Sequence, residues 1–503
     1  MLIRFLIFLK KNKYSVVFFT VILFFLFYIS IHSSGDLRDE GLILAETQRM
    51  MKGDLIYRDF FSWITPGLYY LLYAIWTIFG QSYIVVRTLT VLIGFFCTIL
   101  IYLNCRRILR PLWSALNAAI FAVLCYPQQL ILSYHWLSLL FILLSVWLIN
   151  EYLEKDKKYW LIASGLVITL AIFTMHTRSL AVALAIFIFL FWHRYRPNGW
   201  RRALTPPLLF LLSAVLPFFL FMLPFLISAG WTTLWNDLII SNLFYYPRVG
   251  YVPLTDNPLL YLCLLSYALT TILLIRDKLF TNQVLFYYII SSVLLLSSIY
   301  RLDHVHLAYV QTVFALPLAC LAINQLSMRR PSSCRILFAS FLIFFPLTYY
   351  IDSLWLYLQT KNWVPVQTKI GPVYMTAYPA ARMKLVLATL DKVPASNIFI
   401  FPWAPALYTL AGKNNPTRYD IVFEEYLNPL DEEEIKKDLT TKNIQYLLEL
   451  PFDHVVSLDY LRLRTYYKTI HYEFIKDWAG ANYGVKAIYF GPSSSNFNLY
   501  QKK

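Results

Sequence analysis

Residues 65–80 read TPGLYYLLYAIWTIFG, and the fold depends on whether this stretch crosses a bilayer. It is apolar, but it opens at Pro66, stops at Gly80 and is rich in aromatic rings. A helix needs about 20 apolar residues to cross about 30 Å of hydrocarbon; a shorter aromatic stretch suits the interface. Outward from it lie eleven segments that read as spans: 14–33, 83–103, 112–127, 136–151, 159–175, 180–193, 207–228, 259–275, 283–300, 307–324 and 336–351. With the N-terminus inside, the inner segments hold 19 Lys and Arg against 7 in the outer loops before residue 352. That excess is the one expected of cytoplasmic loops. A crossing at 65–80 would invert everything downstream and spoil the asymmetry. The reading is therefore eleven spans, N-terminus in and C-terminus out, with 65–80 as an interfacial helix.

Composition agrees. The 503 residues are 59% apolar and 14% charged, with 38 Phe and 38 Tyr, and mean hydropathy is +0.55. Soluble domains average about 45–50% apolar and about 25% charged residues. An ordinary soluble enzyme, a disordered chain and a disulfide-stapled miniprotein are all excluded. The formal charge of +16 is mostly a topology signal. The tail from 352 to 503 holds 17 basic and 15 acidic residues, so it offers no footprint for nucleic acid. The six cysteines fall in spans or inner loops without metal spacing, so neither a disulfide nor a cysteine metal site is expected. The first span follows a basic start and lacks a small-residue cleavage site, which reads as a retained signal anchor.

Two domains follow: residues 1–351 in the membrane, with a first outer loop at 34–82, and an outer α/β domain at 352–503. In the first loop, Asp39 to Met51 (DEGLILAETQRMM) has helical character and ends at the turn pair Gly53-Asp54. In the tail, 378–392, the stretch after Phe401 up to Gly412, and 431–439 predict helices. Asn397–Phe401, Gln445–Leu450, Ile470–Ile475 and Val485–Phe490 predict strands.

Ionisable residues near a bilayer are costly and usually face a cavity. The first loop gathers Asp36, Asp39, Glu40, Glu46, Asp54 and Asp59. Asp39-Glu40 opens a helix just after the first span, where an ionised carboxylate can accept a proton from an attacking hydroxyl. Asp39 also suits an N-cap, and the two roles are compatible. Arg58 and Asp59 sit in the turn GDLIYRDF as support for that loop. Arg178 in MHTRS, Arg248 in YYPRVG, and Arg301 with His306 in RLDHVH are outer-face groups able to hold a phosphate. Each guanidinium also reads as a snorkelling anchor. His135 reads as a polar interface residue. No nucleotide-loop, nucleophile-elbow or zinc-protease pattern falls in a plausible context.

The run SSGDLRDEGLILAETQRMMKGDLIYRDFFSWITPGLYYLLYAIWTIFGQSYIVVRTLT (33–90) resembles the first outer loop of GT-C glycosyltransferases. The resemblance is to the family-39-type group of protein O-mannosyltransferases and aminoarabinose transferases. The matching residues are Asp39-Glu40, Pro66 with Tyr69-Tyr70, Phe79-Gly80 and Arg87. TMHTRSLAVALA is similar to a Thr-Lys-Gly element of that family, with Arg178 in the lysine's place. The resemblance implies a membrane all-α GT-C fold of about eleven spans with an outer α/β domain. It implies a polyprenyl-phosphate sugar donor, inversion at the anomeric carbon, and Asp39 as base or acceptor-binding carboxylate. Many relatives carry a second carboxylate where this chain has Tyr134-His135-Trp136. No cofactor is assigned, and a divalent metal stays open. The acceptor (lipid, glycan or protein) is not readable. A lipid-linked-sugar flippase and a glycan polymerase are the rival readings.

Overall fold

The computed structural model describes residues 13–31, 36, 38–250, 258–297, 311–329, 363–451, 471–489 and 497–503. The first long apolar helix is α1 (Lys13–Ile31), and the loop expected to be the first outer one carries α2 (Asp39–Met51) and α3 (Gly67–Phe79). The membrane part continues with α4 (Tyr83–Cys105), α5 (Pro111–Ile120) extended by a π turn, α6 (Tyr134–Lys155), α7 (Lys158–Thr174), α8 (His176–Ala203) and α9 (Thr205–Ala229). A second segment expected to be outer holds α10 (Trp231–Trp235), a π-helical stretch at Asn236–Tyr245 and α11 (Tyr246–Gly250). Then come α12 (Pro258–Arg276), α13 (Asn282–Ser297) and α14 (Leu316–Arg329).

The described parts of ten of the eleven expected spans fall on helices; 32–33, 298–300, 307–310 and 336–351 lie outside the described residues. Among the described residues, five helices are long and apolar enough to cross a membrane by length and composition alone, including Tyr83–Cys105 and Thr205–Ala229. α3 is 13 residues long, about 20 Å at 1.5 Å per residue, too short for the hydrocarbon. That length supports the interfacial reading of 65–80. The faces divide as lipid demands. Phe24, Leu216, Leu220 and Ile227 point outward, while small polar groups join helices inside: Ser145 Oγ lies 2.7 Å from Ser164 Oγ, and Thr169 Oγ1 donates to Ala214 O at 2.8 Å.

The tail carries β1 (Trp363–Val366) paired antiparallel with β2 (Val373–Thr376), then α15 (Ala377–Lys392). It goes on through β3 (Phe399–Phe401), α16 (Ala406–Ala411), α17 (Pro429–Thr441), β4 (Tyr446–Glu449), α18 (Glu473–Asn482), β5 (Tyr483–Tyr489) and β6 (Phe497–Lys502). The four-stranded sheet runs β3-β4-β6-β5, parallel at β3–β4 and antiparallel elsewhere. Phe399, Leu447, Ile435, Leu439 and Ile475 form its own small core.

The strand expected at Ile470–Ile475 is corrected. His471 and Tyr472 are irregular and Glu473 opens α18. Its two buried residues, Ile475 and Ala479, are four apart, a helical spacing. The larger core is continuous from Leu26 and Leu72 to Leu390, Ile400 and Leu410, so the tail seats on the membrane half through apolar contact.

Candidate functional site

The site grows from α2. Its N-cap is Arg38, not Asp39. Arg38 is held to Asp36 (Nε to Oδ1, 3.1 Å), and its guanidinium lies 5.3 Å from the centre of the Trp403 ring in the tail. Asp39 is therefore the first helical residue, half-buried at the positive end of the helix dipole.

Glu40 has a different setting from the shared catalytic role read in the sequence. It is 1% exposed. Its carboxylate pairs with Arg87 of α4, accepts from Leu132 N at 2.8 Å and from the Tyr83 hydroxyl at 3.2 Å. Arg87, 2% exposed, also donates to Leu130 O at 2.8 Å and lies 4.8 Å from the Tyr83 ring centre. Two residues of the resemblance motif, Glu40 and Arg87, thus meet in one buried ion pair. That pair fixes the rotation of α2 and so the direction of Asp39. The carboxylate of Glu40 takes part in this anchoring.

Three further segments converge on the first loop. Thr65 Oγ1 donates to Ile172 O (2.7 Å) at the end of α7. A Cβ on Gly67 would meet Phe173 O at 2.7 Å, so glycine permits this approach. Next along the chain, His176 Nε2 bonds Leu238 O at 2.9 Å, which ties the start of α8 to the second outer segment. Asn242 Nδ2 returns to Trp63 O at 2.6 Å. Arg178 is 4% exposed in the first turn of α8, among these joined segments. Arg248 is exposed in α11, with its guanidinium 4.9 Å from the Tyr245 ring centre. Arg301 and His306 lie outside the described residues. Arg58 and Asp59 bond to each other in a bidentate pair (2.9 and 2.7 Å), and Leu55 N caps Asp59 Oδ2 at 2.7 Å. They hold their turn. His135 is buried against the Tyr134 ring. Among the described residues no three of His, Cys, Asp and Glu lie together as metal ligands.

The tail supplies residues the sequence reading missed. Arg418 Nη2 bonds Asp237 Oδ2 at 2.7 Å and Tyr57 O at 3.0 Å, joining tail, second outer segment and first loop. Burial pushes the Asp237 carboxyl up to about 7, against the downward pull of Arg418. Arg49 Nη1 donates to Thr417 O at 2.9 Å, while its Nε reaches Asp54 at 2.9 Å. Glu46, fully buried near Tyr69 and Ser62, has its carboxyl held well above the usual carboxylate range by burial, with the Asp420 charge adding. Glu46 was visible only as one more acid of the loop; Arg418 and Asp237 gave no local signal.

This arrangement of apolar helices with a sheet-bearing tail folded over the first outer loop is that of a membrane-embedded class. The chain has the GT-C fold, that of membrane glycosyltransferases. It is similar over 97% of its length to 98% of ArnT from Cupriavidus metallidurans bound to undecaprenyl phosphate, with TM-score 0.60 and 12% identity. It is similar over 98% of its length to 75% of the oligosaccharyltransferase AglB from Archaeoglobus fulgidus, in complex with an inhibitory peptide and a dolichol-phosphate, with TM-score 0.53 and 12% identity. Within that class, residues 64–227 match the family described as dolichyl-phosphate-mannose-protein mannosyltransferase. A comparison with curated proteins finds no match.

Proposed function

We propose that the chain is an inverting glycosyltransferase of the inner membrane. It moves a hexosyl or pentosyl group from a polyprenyl-phosphate sugar to an acceptor at the outer, periplasmic face. Its N-terminus is cytoplasmic, residues 1–351 form the membrane domain, and 352–503 form an extracytoplasmic domain. The observation that carries the reading is the setting of Asp39: a half-buried carboxylate on a helix whose next residue is clamped into α4.

Asp39 takes the proton of the acceptor hydroxyl, or holds that hydroxyl, while its oxygen attacks the anomeric carbon from the face opposite the phosphate. The sugar–phosphate bond breaks with its electrons on the phosphate oxygen. A phosphate with a second pKa near 6 leaves without a general acid, so positive charge is what the site must supply. Arg178, Arg248, Arg301 and His306 form the proposed set for the lipid phosphate. Glu40 is a positioning residue. The undecaprenyl phosphate of ArnT and the dolichol-phosphate of AglB, in proteins of this fold, support a donor of that class.

The test uses membranes containing the full chain and a panel of labelled polyprenyl-phosphate sugars. Loss of label from one lipid, abolished in Asp39→Asn, is expected. Turnover of none of the panel, or equal turnover in Asp39→Asn, would overturn the reading.

A further inference from the structure

At the C-terminal end of α2 a cavity of about 240 Å³ opens between the first loop and the tail. Ala45, Gln48, Arg49 and Lys52 line one wall from a single helix face, since their spacing of three and four residues stacks them on one side. The opposite wall is the turn that ends at Asp420. That turn is rigid: Asn415 Oδ1 accepts from Thr417 N (2.9 Å), and Asn415 Nδ2 donates to Tyr419 O (2.9 Å) and Asp420 Oδ1 (2.8 Å). The facing wall is equally fixed, by the bonds of Arg49 to Asp54, Thr417 O and Asp59 O.

One acceptor in this lining is incompletely satisfied. Asp420 is 4% exposed, and its Oδ2 has the ion-pair contact of Arg49 Nη1 at 3.5 Å but no well-formed hydrogen bond. A buried acceptor left in that state carries a desolvation cost that a ligand donor would relieve. The charges in the lining narrow the ligand. Arg49, Lys52 and Lys413 oppose a metal cation, while Asp54 and Asp420 oppose a phosphate. Interleaved donors and acceptors instead match hydroxyl groups, each of which both gives and takes a hydrogen bond. The volume lies below the roughly 300–1,000 Å³ of sites for drug-sized ligands, which leaves room for one ring.

We propose that this cavity is a saccharide subsite that holds a distal sugar of the acceptor. The ligand class rests on the glycosyl-transfer reading above. Arg49 lies ten residues along α2 from Asp39, about 15 Å at 1.5 Å per residue. That is farther than one ring spans, so the sugar held here is not the one that reacts, and the acceptor is an oligomeric glycan.

The experiment uses the full chain in lipid nanodiscs and saturation-transfer NMR with methyl α-mannoside, methyl β-glucoside and N-acetylglucosamine. Inorganic phosphate and calcium serve as competing probes. At least one of the sugars should bind the wild type and Asp39→Asn alike. Asp420→Asn should weaken it about tenfold by turning an acceptor into a donor, and Lys52→Ala should weaken it by a similar factor. Lys52 is exposed, so its variant reads the site even if Asp420→Asn fails to fold. No binding by any of the three sugars, equal binding in both cavity variants, or displacement by phosphate or calcium would overturn the proposal. Sugar binding with this pattern beside an inactive donor panel would keep the subsite and remove the transfer reading; donor turnover without sugar binding would do the reverse.

Discussion

Glu40→Gln isolates the ion pair that aims the helix. The substitution keeps the shape of the side chain and an oxygen for Leu132 N, but leaves the Arg87 charge at 2% exposure without the Glu40 charge. Two unit charges about 4 Å apart at an effective dielectric of about 20 attract by about 4 kcal/mol. Removing one partner of a buried pair costs about 3–5 kcal/mol by a separate empirical route. The two agree, against total stabilities of about 5–15 kcal/mol. The assay is unfolding by SDS titration from mixed micelles, followed through the 14 tryptophans. Glu40→Gln should lose about 3–5 kcal/mol, and adding Arg87→Met should recover part of the loss by removing the stranded charge. A loss within about 0.5 kcal/mol, the scale of a surface change, or an Arg87→Met cost that simply adds, would refute the reasoning.

Other outcomes can be checked alongside. Asp39→Asn should fold like the wild type and show no transfer with donor supplied, read as product formation and melting temperature together. Arg178→Ala should raise the donor concentration needed for half-maximal rate more than that of the acceptor, with steady-state kinetics as the check. The Asp237 carboxyl is raised to about 7 from an ordinary 3.8, so its contribution to stability is full below about pH 4 and is lost as pH rises through about 7. Asp237→Asn should flatten unfolding free energy against pH across that window. A Cβ on Gly41 would meet Ala406 N at 2.6 Å, so Gly41→Ala should cost about 1–3 kcal/mol as overpacking and quicken protease cleavage of the tail.

The long apolar helices were legible because lipid imposes a length and forbids charge, and both constraints act locally. α17 was legible for a similar reason: Asn428 and Asp431 form a capping box, and acids precede lysines along the helix. β1, with Pro365 inside it, lacks the continuous apolar run that marked β3 and β4, and β2 and β6 went unread beside it. Asp39-Glu40 stood out as an acidic pair, but nothing nearby divides their roles; only the fold brings Arg87 to one of them. Arg49 meets the carbonyl of Thr417 across 368 residues of chain, and no window of sequence carries such a contact.

The bonds from Arg49 and Arg418 act as rivets between the tail, the first loop and the segment around Asp237. An engineer exchanging tails between related enzymes would strand Asp237, one arm of Arg49 and the carbonyl of Tyr57 if residues 363–503 alone were swapped. A working chimera should carry the stretch from Asp36 to Gly80 along with its matching tail, and the segment around Asp237 as well. Evolution faces the same constraint, since drift in one of these pieces must be answered in the others.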